Sequence, residues 1–371
     1  MSIDVFPVKT KRDLMRFIKF PWDVYKGNEV WVPPLISEMK SFFSPEKNPF
    51  YKHSEAELFL AEKNGKIAGR IAAILNNEHI RVHNEKVGFF GFYEVIPDYE
   101  VSEKLFLTVH QWLKDKGMKI MRGPDNFSQN DTCGLLIEGF QHPPVVMMPY
   151  NPEYYKEHIE KFGFKKAMDL YAWLIDNKNP PERLLRGVEI VKKRANINVR
   201  HINMKKFSQE VEIIKDIYNS AWEKNWGFVP MTDDEFYHLT KNLKKIVDPE
   251  LVLIGEIDGR PAGFSLALPD INQAIKKTNG RLFPLGIFKL LWYARKIDGL
   301  RVIVMGVKEE FRKIGIDTLF YYETFKTGVK KGYNKAELSW VLENNFLMNK
   351  VLENLQAKIY KIYRIYDYAI Q

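Results

Sequence analysis

The sequence predicts an α/β protein of two tandem domains, each a mixed, mostly antiparallel sheet flanked by helices, and three observations lead there. At 371 residues the chain is long for one hydrophobic core, so two domains are expected. Two stretches, ELFLAEKNGKIAGRIAAIL (Glu57 to Leu75) and ELVLIGEIDGRPAGFSLAL (Glu250 to Leu268), read alike as strand, two-residue turn, strand. Their Asn-Gly and Asp-Gly dipeptides tolerate the positive φ angles of a tight hairpin. The segments around the two hairpins repeat as well, which a shared turn alone does not explain.

In the first half, IDVFPV is a strand and TKRDLMRFIKFPWDVY a helix ahead of the hairpin. After it come the strand VGFFGFYEV, a helix with Val101, Leu105, Val109 and Trp112 on one stripe, the strand KIMRGP, the helix PEYYKEHIEKFGF and the strand DLYAWLI. VVMMPY, just before that second helix, reads as a buried strand. The second half repeats the order with VRHIN, SQEVEIIKDIYNSAWEK, its hairpin, RVIVMGV, a helix from about Ile314 to Lys331, AELSWV, FLMNKVLENL and IYKIYRIYDY. Pro180 and Pro181 mark the junction, giving domains at 1–176 and 200–371 with a linker at 177–199. An insertion ahead of RVIVMGV carries an apolar stretch, Leu282 to Trp292, flanked by Lys276, Lys277, Arg281, Arg295 and Lys296. A short aromatic helix with basic flanks has the pattern of an interfacial membrane contact, expected over 281–296; a helix covering the cofactor or the other domain is the alternative.

Composition narrows the function. Hydrophobic residues make up 45% and aromatic residues 14%, ample for two cores. No apolar run approaches the roughly 18 residues of a membrane span, and MSIDVFPVKT lacks a signal peptide's apolar stretch. A cytoplasmic protein is expected, peripheral to the inner membrane face if the insertion acts as read. Cys133 is the single cysteine and the eight histidines contain no HExxH, so neither a disulfide nor a metal is expected. The net charge of +9 admits an acidic partner such as a nucleotide or anionic lipid. Because Lys and Arg are interleaved with acids and no nucleic-acid motif accompanies them, nucleic acid is not expected.

The stretch VKEEFRKIGIDTLF, Val307 to Phe320, joins the strand RVIVMGV to a helix through a basic, Gly-containing turn. Unpaired backbone N–H groups and the positive end of the dipole make such a helix start an anion site. Arg312 and Lys313 add charge, and Gly315 lets the chain approach a phosphate closely. The corresponding turn in the first half, IPDYEVSEKLF, has no Gly and stands among Glu94, Asp98, Glu100 and Glu103, which would repel a pyrophosphate.

The repeated element order and this turn resemble the GNAT-type acyl-CoA N-acyltransferases. Arg312-Lys313-Ile314-Gly315-Ile316-Asp317 matches that family's Arg/Gln-x-x-Gly-x-Gly/Ala pyrophosphate loop except at Asp317, and Asn345 matches the Asn after its fifth strand. The resemblance implies two GNAT-like domains, of which only the second binds acyl-CoA or acetyl-CoA as co-substrate, with the thioester carbonyl polarised by backbone between Met305 and Val307. The family tyrosine seven residues after the Asn is replaced by Leu352, so either transfer is direct without a strong general acid, or Tyr321, Tyr322 or water takes the tyrosine's place. Through RGPDNFSQNDTCGLLIEGF, PPVVMMPYNPEYY, NWGFVP and ELSWVLENN, nearly the full chain is also similar to a bacterial tandem GNAT-like family related to the bacterial ceramide synthases. That relation implies a fatty acyl-CoA and a long-chain amine as substrates.

Acyl transfer further requires a base for the amine. Glu343, at the end of AELSWV, and Asp131, in the polar loop from Asn126 to Gly134, are the candidates, with a solvated strand end and a structural loop as the plain alternatives. Asn130, Tyr150, Asn151 and Trp226 are expected to line an acceptor site near the junction of the halves, where the first half serves as a wall. Two rival readings stay open: a non-catalytic acyl-CoA or lipid-binding module, which the missing tyrosine favours, and an aminoacyl-tRNA-dependent transferase of the peptidoglycan type, which the lack of a dense basic patch disfavours.

Overall fold

The computed structural model describes residues 2–176, 179–194, 196–222 and 225–371. In chain order the elements run β1 (Ile3–Pro7), α1 (Lys11–Lys19), α2 (Pro21–Val24), α3 (Ile36–Phe42), β2 (Glu55–Lys63), β3 (Lys66–Leu75), α4 (Asn77–His83), β4 (Val87–Val95), α5 (Tyr99–Asp115) and β5 (Ile120–Gly123). Short strands β6 (Asp125–Asn126), β7 (Thr132–Cys133) and β8 (Leu135–Glu138) precede α6 (Tyr154–Phe162) and β9 (Lys165–Ile175). There follow α7 (Glu182–Arg194), β10 (Ile197–His201), α8 (Phe207–Trp222), α9 (Asp233–Leu243), β11 (Val252–Ile257), β12 (Arg260–Pro269), α10 (Asn272–Ile275) and α11 (Gly286–Ala294). The chain closes with β13 (Gly299–Val307), α12 (Ile316–Lys330), β14 (Lys335–Leu342), α13 (Phe346–Asn354) and β15 (Lys358–Ala369).

Both hairpin turns form as their dipeptides predict. Asn64, Gly65, Asp258 and Gly259 take φ of +54°, +75°, +50° and +73°, the left-handed angles that join β2 to β3 and β11 to β12. The chain separates into two units: Met1–Leu170 with Ala274–Trp292 and Lys361–Gln371, and Tyr171–Gln273 with Tyr293–Tyr360. Two segments thus lie outside the half in which they are written, the insertion and most of the last strand. Residues 177–178, where the junction was expected, lie outside the described residues, and 182–194 of the expected linker form α7.

The first unit's strands run in the order β1-β2-β3-β4-β5-β15, then β9. From β1 to β15 the pairing is antiparallel except between β4 and β5, where Val87 to Phe89 run parallel to Ile120 to Arg122. Alternation along β2 and β3 divides the core: Phe59, Ala61, Ile71 and Ala73 face α5 and α6, while Leu58, Leu60, Ala72 and Ile74 face α1 and the aromatic cluster of Phe43, Phe50 and Phe127. VVMMPY forms no strand. Met148 N–H turns back to the Val145 carbonyl at 3.0 Å and Met147 has φ of +59°, which breaks an extended run bracketed by prolines.

The second unit repeats the plan in the order β9-β14-β13-β12-β11-β10. Its parallel pair joins Gly299 to Val302 of β13 with Lys335 to Leu338 of β14, and both strands run on past the end of that ladder. One face is covered by α12 and α7 through Leu319, Tyr321, Leu184, Val188 and Val191. Over the other lies α8, whose Trp222 ring sits against Gly306 and 5.9 Å from the Phe264 ring.

Candidate functional site

The turn between β13 and α12 is built for an open helix start. Lys313 takes φ of +66° and Gly315 φ of +100°, and Gly315 is the N-cap with no side chain bonding the first N–H groups. A Cβ on Gly315 would also come 2.5 Å from Val191 Cγ2 of α7, so packing and backbone both require glycine. The exposed Arg312 reaches across rather than outward: its Nη2 donates to the Ala221 carbonyl at 2.9 Å and its Nε to the Val307 carbonyl at 3.3 Å. That places a guanidinium at the C-terminal end of α8, where the dipole favours a cation. Lys313 is exposed, Ile316 is buried against Phe311 and Phe320, and Asp317 is half-buried in the first turn, where it adds to the rise that burial imposes on the Tyr321 phenol.

The equivalent helix start in the first unit is filled. Asp98 caps α5 by accepting from Glu100 N–H at 3.1 Å, and Lys63 Nζ sits 2.6 Å from Asp98 and 3.2 Å from Glu100. Glu94, expected among the acids of this turn, faces inward. Its carboxylate accepts from Tyr155 and Tyr25 hydroxyls at 2.8 and 2.9 Å and lies 3.7 Å from Arg70, while burial raises its pKa from 4.5 to about 7. Arg70 in turn donates to the Phe17 carbonyl at 2.7 Å.

Where β13 and β14 leave their ladder, Met305 and Val307 are half-buried on the α12 side. A cleft of about 60 Å³ between these strands and α12 is lined by Met305, Val302, Leu338, Tyr321, Thr324 and Gly328 among others. The buried Tyr321 hydroxyl donates to Met348 Sδ at 3.1 Å, and desolvation raises its pKa, so it keeps its proton at neutral pH. Leu352 is wholly buried, which fixes the position of the expected tyrosine as core.

The strands carry on their other face a polar group that sequence reading missed. Glu337, Ser339 and Arg301 are buried; the Ser339 and Tyr360 hydroxyls both donate to Glu337, and Arg301 Nε donates to Ser339 Oγ at 3.0 Å. A signal existed: alternating Glu and Ser in AELSWV is unusual for a strand covered on both faces.

Asn345 is the N-cap of α13, its Oδ1 accepting Met348 N–H at 3.2 Å. Glu343 is half-buried just before it, its carbonyl held by Asn349 Nδ2 at 3.3 Å, and Trp226 is half-buried. These residues and the Arg312 to Asp317 turn belong to the second unit; Asp131, Asn130, Tyr150 and Asn151 belong to the first. Asp131 accepts from Ser128 Oγ at 3.3 Å and Asn130 N–H donates to the same oxygen at 3.2 Å, and the Asp131 charge adds to the burial that raises Asp125. The Tyr150 hydroxyl donates to the Phe140 carbonyl at 3.1 Å. Asn151 is buried and its amide is committed to Leu136, accepting from N–H at 2.7 Å and donating to the carbonyl at 3.1 Å.

No protein-family model matches the chain. Among curated proteins it is 38% identical over 369 residues to Protein YghO of Escherichia coli K12, covering 97% of this chain and 94% of that one. It is 36% identical over 381 residues to the bacterial ceramide synthase of Caulobacter vibrioides, covering 100% and 98%. Among solved structures it matches a tandem GNAT protein from the clavulanic acid biosynthesis pathway with a TM-score of 0.60, 9% identity and coverage of 100% and 99%. A GCN5-related N-acetyltransferase from Sphaerobacter thermophilus gives a TM-score of 0.54, 13% identity and coverage of 100% and 96%. The structural likenesses bear on the fold, which is that of tandem GNAT-like domains.

Proposed function

We propose, from the premise that this chain belongs to the GNAT-superfamily, tandem-domain family of bacterial ceramide synthase and Protein YghO, that it transfers a fatty acyl group from acyl-CoA to a long-chain primary amine. The superfamily is one of acyl-CoA-dependent N-acyltransferases; the fatty chain and the long-chain amine are our extension from the name of the Caulobacter relative. The observation that carries the reading is the contrast between the two helix starts. Gly315 opens α12 without a side-chain cap, whereas Asp98 fills the start of α5, so we assign the pyrophosphate to the second unit, with the exposed Lys313 of the same turn as its cation.

In this reading backbone N–H between Met305 and Val307 polarises the thioester carbonyl. The amine nitrogen attacks that carbon, the C–S bond breaks, and Tyr321 O–H gives its proton to the leaving thiolate. The amine's proton passes to a carboxylate, for which Glu343, in the same unit as the thioester site, is the candidate. Residues 281–296 are read as the peripheral contact through which a lipid acceptor arrives. Coenzyme A should raise the melting temperature in a concentration-dependent way. Addition of a long-chain amine to enzyme and acyl-CoA should release free thiol; absence of both effects would sink the proposal.

A binding module without catalysis is the second reading, favoured by Leu352 standing in the core where the family has tyrosine. It predicts the thermal shift without thiol release.

A further inference from the structure

The insertion ends in a surface that a water-soluble fold does not need. Phe283 is 89% exposed, Phe288 67%, Leu285 65%, and Leu291 and Trp292 58% each. In a chain whose other large apolar side chains are mostly packed, five neighbouring ones in ten residues form a contiguous apolar tip. The tip has a fixed base. Trp22 Nε1 donates to Asn279 Oδ1 at 2.9 Å, Ile36 N–H donates to the Gly280 carbonyl at 3.0 Å, and Lys276 Nζ donates to the Glu29 carbonyl. The turn itself is closed by Ile287 N–H on the Leu282 carbonyl at 2.7 Å. Loose disorder is therefore not what exposes these side chains; the fold holds them out.

Charge selects the occupant. Arg281 and Lys289 are exposed beside the apolar residues, exposed Arg295 and Lys296 follow in the chain, and no acid lies between Arg281 and Lys296. We infer that Phe283, Leu285, Phe288, Leu291 and Trp292 insert into the headgroup boundary of an anionic bilayer while Arg281 and Lys289 bind its surface. The helix is too short to span and lies in the interface, with its cations near lipid phosphates. The inference deepens the peripheral contact proposed above and rests on that reading of 281–296; it adds the lipid class and the inserting residues.

The test is co-sedimentation of the full chain with vesicles of phosphatidylcholine alone and of phosphatidylcholine with phosphatidylglycerol. Binding to the anionic vesicles is expected, with a partition coefficient reduced roughly ten- to a hundredfold by Phe283→Ser or Phe288→Ser. Arg281→Gln and Lys289→Gln should each reduce it about fivefold on anionic vesicles and leave the weak binding to neutral ones unchanged. All four positions are exposed, so the variants fold. Equal binding of wild type and Phe variants, or none to either vesicle, would overturn the inference. So would a concentration-dependent dimer that Phe288→Ser dissolves, since the tip would then meet a second copy. Thiol release from acyl-CoA with a short water-soluble amine, measured without vesicles, reports separately on acyl transfer, so vesicle binding without thiol release refutes the chemistry alone.

Discussion

Replacing Gly315 by alanine tests the construction of the α12 turn because two separate costs meet at one methyl group. The φ of +100° is unfavourable for any side chain by roughly 1–2 kcal/mol. The new Cβ also stands 2.5 Å from Val191 Cγ2, an overpacking that costs about 1–3 kcal/mol unless α7 moves. Gly315→Ala should therefore destabilise the chain by about 2–5 kcal/mol. Val191→Ala alone removes two methyl groups from a buried site at about 1–2 kcal/mol. In the double variant the clash is gone while the backbone strain and the lost Val191 methyls remain, so the pair should be less unstable than the sum by about 1–3 kcal/mol. Urea unfolding followed by circular dichroism gives all four corners of the cycle. Strict additivity would show that α7 does not press on the turn, and a Gly315→Ala protein as stable as wild type would refute the left-handed geometry itself. Val191→Ala leaves the turn's backbone in place, so its thermal response to coenzyme A should survive while that of Gly315→Ala is lost.

Other expectations follow from single contacts. Glu94 has a native pKa raised from 4.5 to about 7, so between those values the folded state holds a proton that the unfolded chain has released. Its stabilisation is full below pH 4.5 and lost as pH rises through 7; melting of wild type relative to Glu94→Gln should fall across that window by up to about 3 kcal/mol, and a rise instead would show an ionised pair with Arg70. Tyr321→Phe should lower kcat by about a hundredfold or more with an unchanged thermal response to coenzyme A, and an unchanged kcat would return the acid role to water. Gly328, inside α12, has room for a Cβ at an ordinary 3.4 Å from Leu300, so Gly328→Ala should stabilise by up to about 1 kcal/mol in urea unfolding; destabilisation would mean that the cleft there is already full.

The elements that could be read from the sequence are those whose signals are local. Asn64-Gly65 and Asp258-Gly259 specify their turns through backbone angles alone, and β2 and β3 alternate between two cores. Leu184, Val188 and Val191 do stand at helical spacing in the expected linker, but two prolines and many charges concealed them until α12 supplied the surface they cover. Membership of a sheet is not local. IYKIYRIYDY is plainly a strand, yet its pairing of Tyr366 to Ala369 with Ile120 to Gly123 depends on residues about two hundred and forty positions away. The same holds for sites. Arg312 was legible as a cation beside a glycine, whereas its bond to the Ala221 carbonyl was not. Glu94 was read among the acids of the first-half turn because the tyrosines that bury it, Tyr25 and Tyr155, come from distant segments.

On the proposed reading, the two helix starts let a repeated fold keep one ligand site. A helix N-terminus must satisfy its first N–H groups with something, and a side chain, water or a ligand will serve. In α5 the chain supplies Asp98, and Lys63 balances the added charge, so nothing further is required. In α12 glycine supplies geometry without a side-chain donor or acceptor, and exposed Arg312 and Lys313 belong to the turn itself. Asp317 does not reverse this. It lies at the second position of the helix rather than at the cap, where its charge adds to the rise in the Tyr321 pKa. Asp317→Asn should accordingly tighten coenzyme A binding by removing a negative charge near the pyrophosphate, about two- to fivefold at low salt and less as salt is added. A loss of affinity would mean that Asp317 orders the turn, and that the acidic residue at the glycine position of the family pattern is part of the loop's structure.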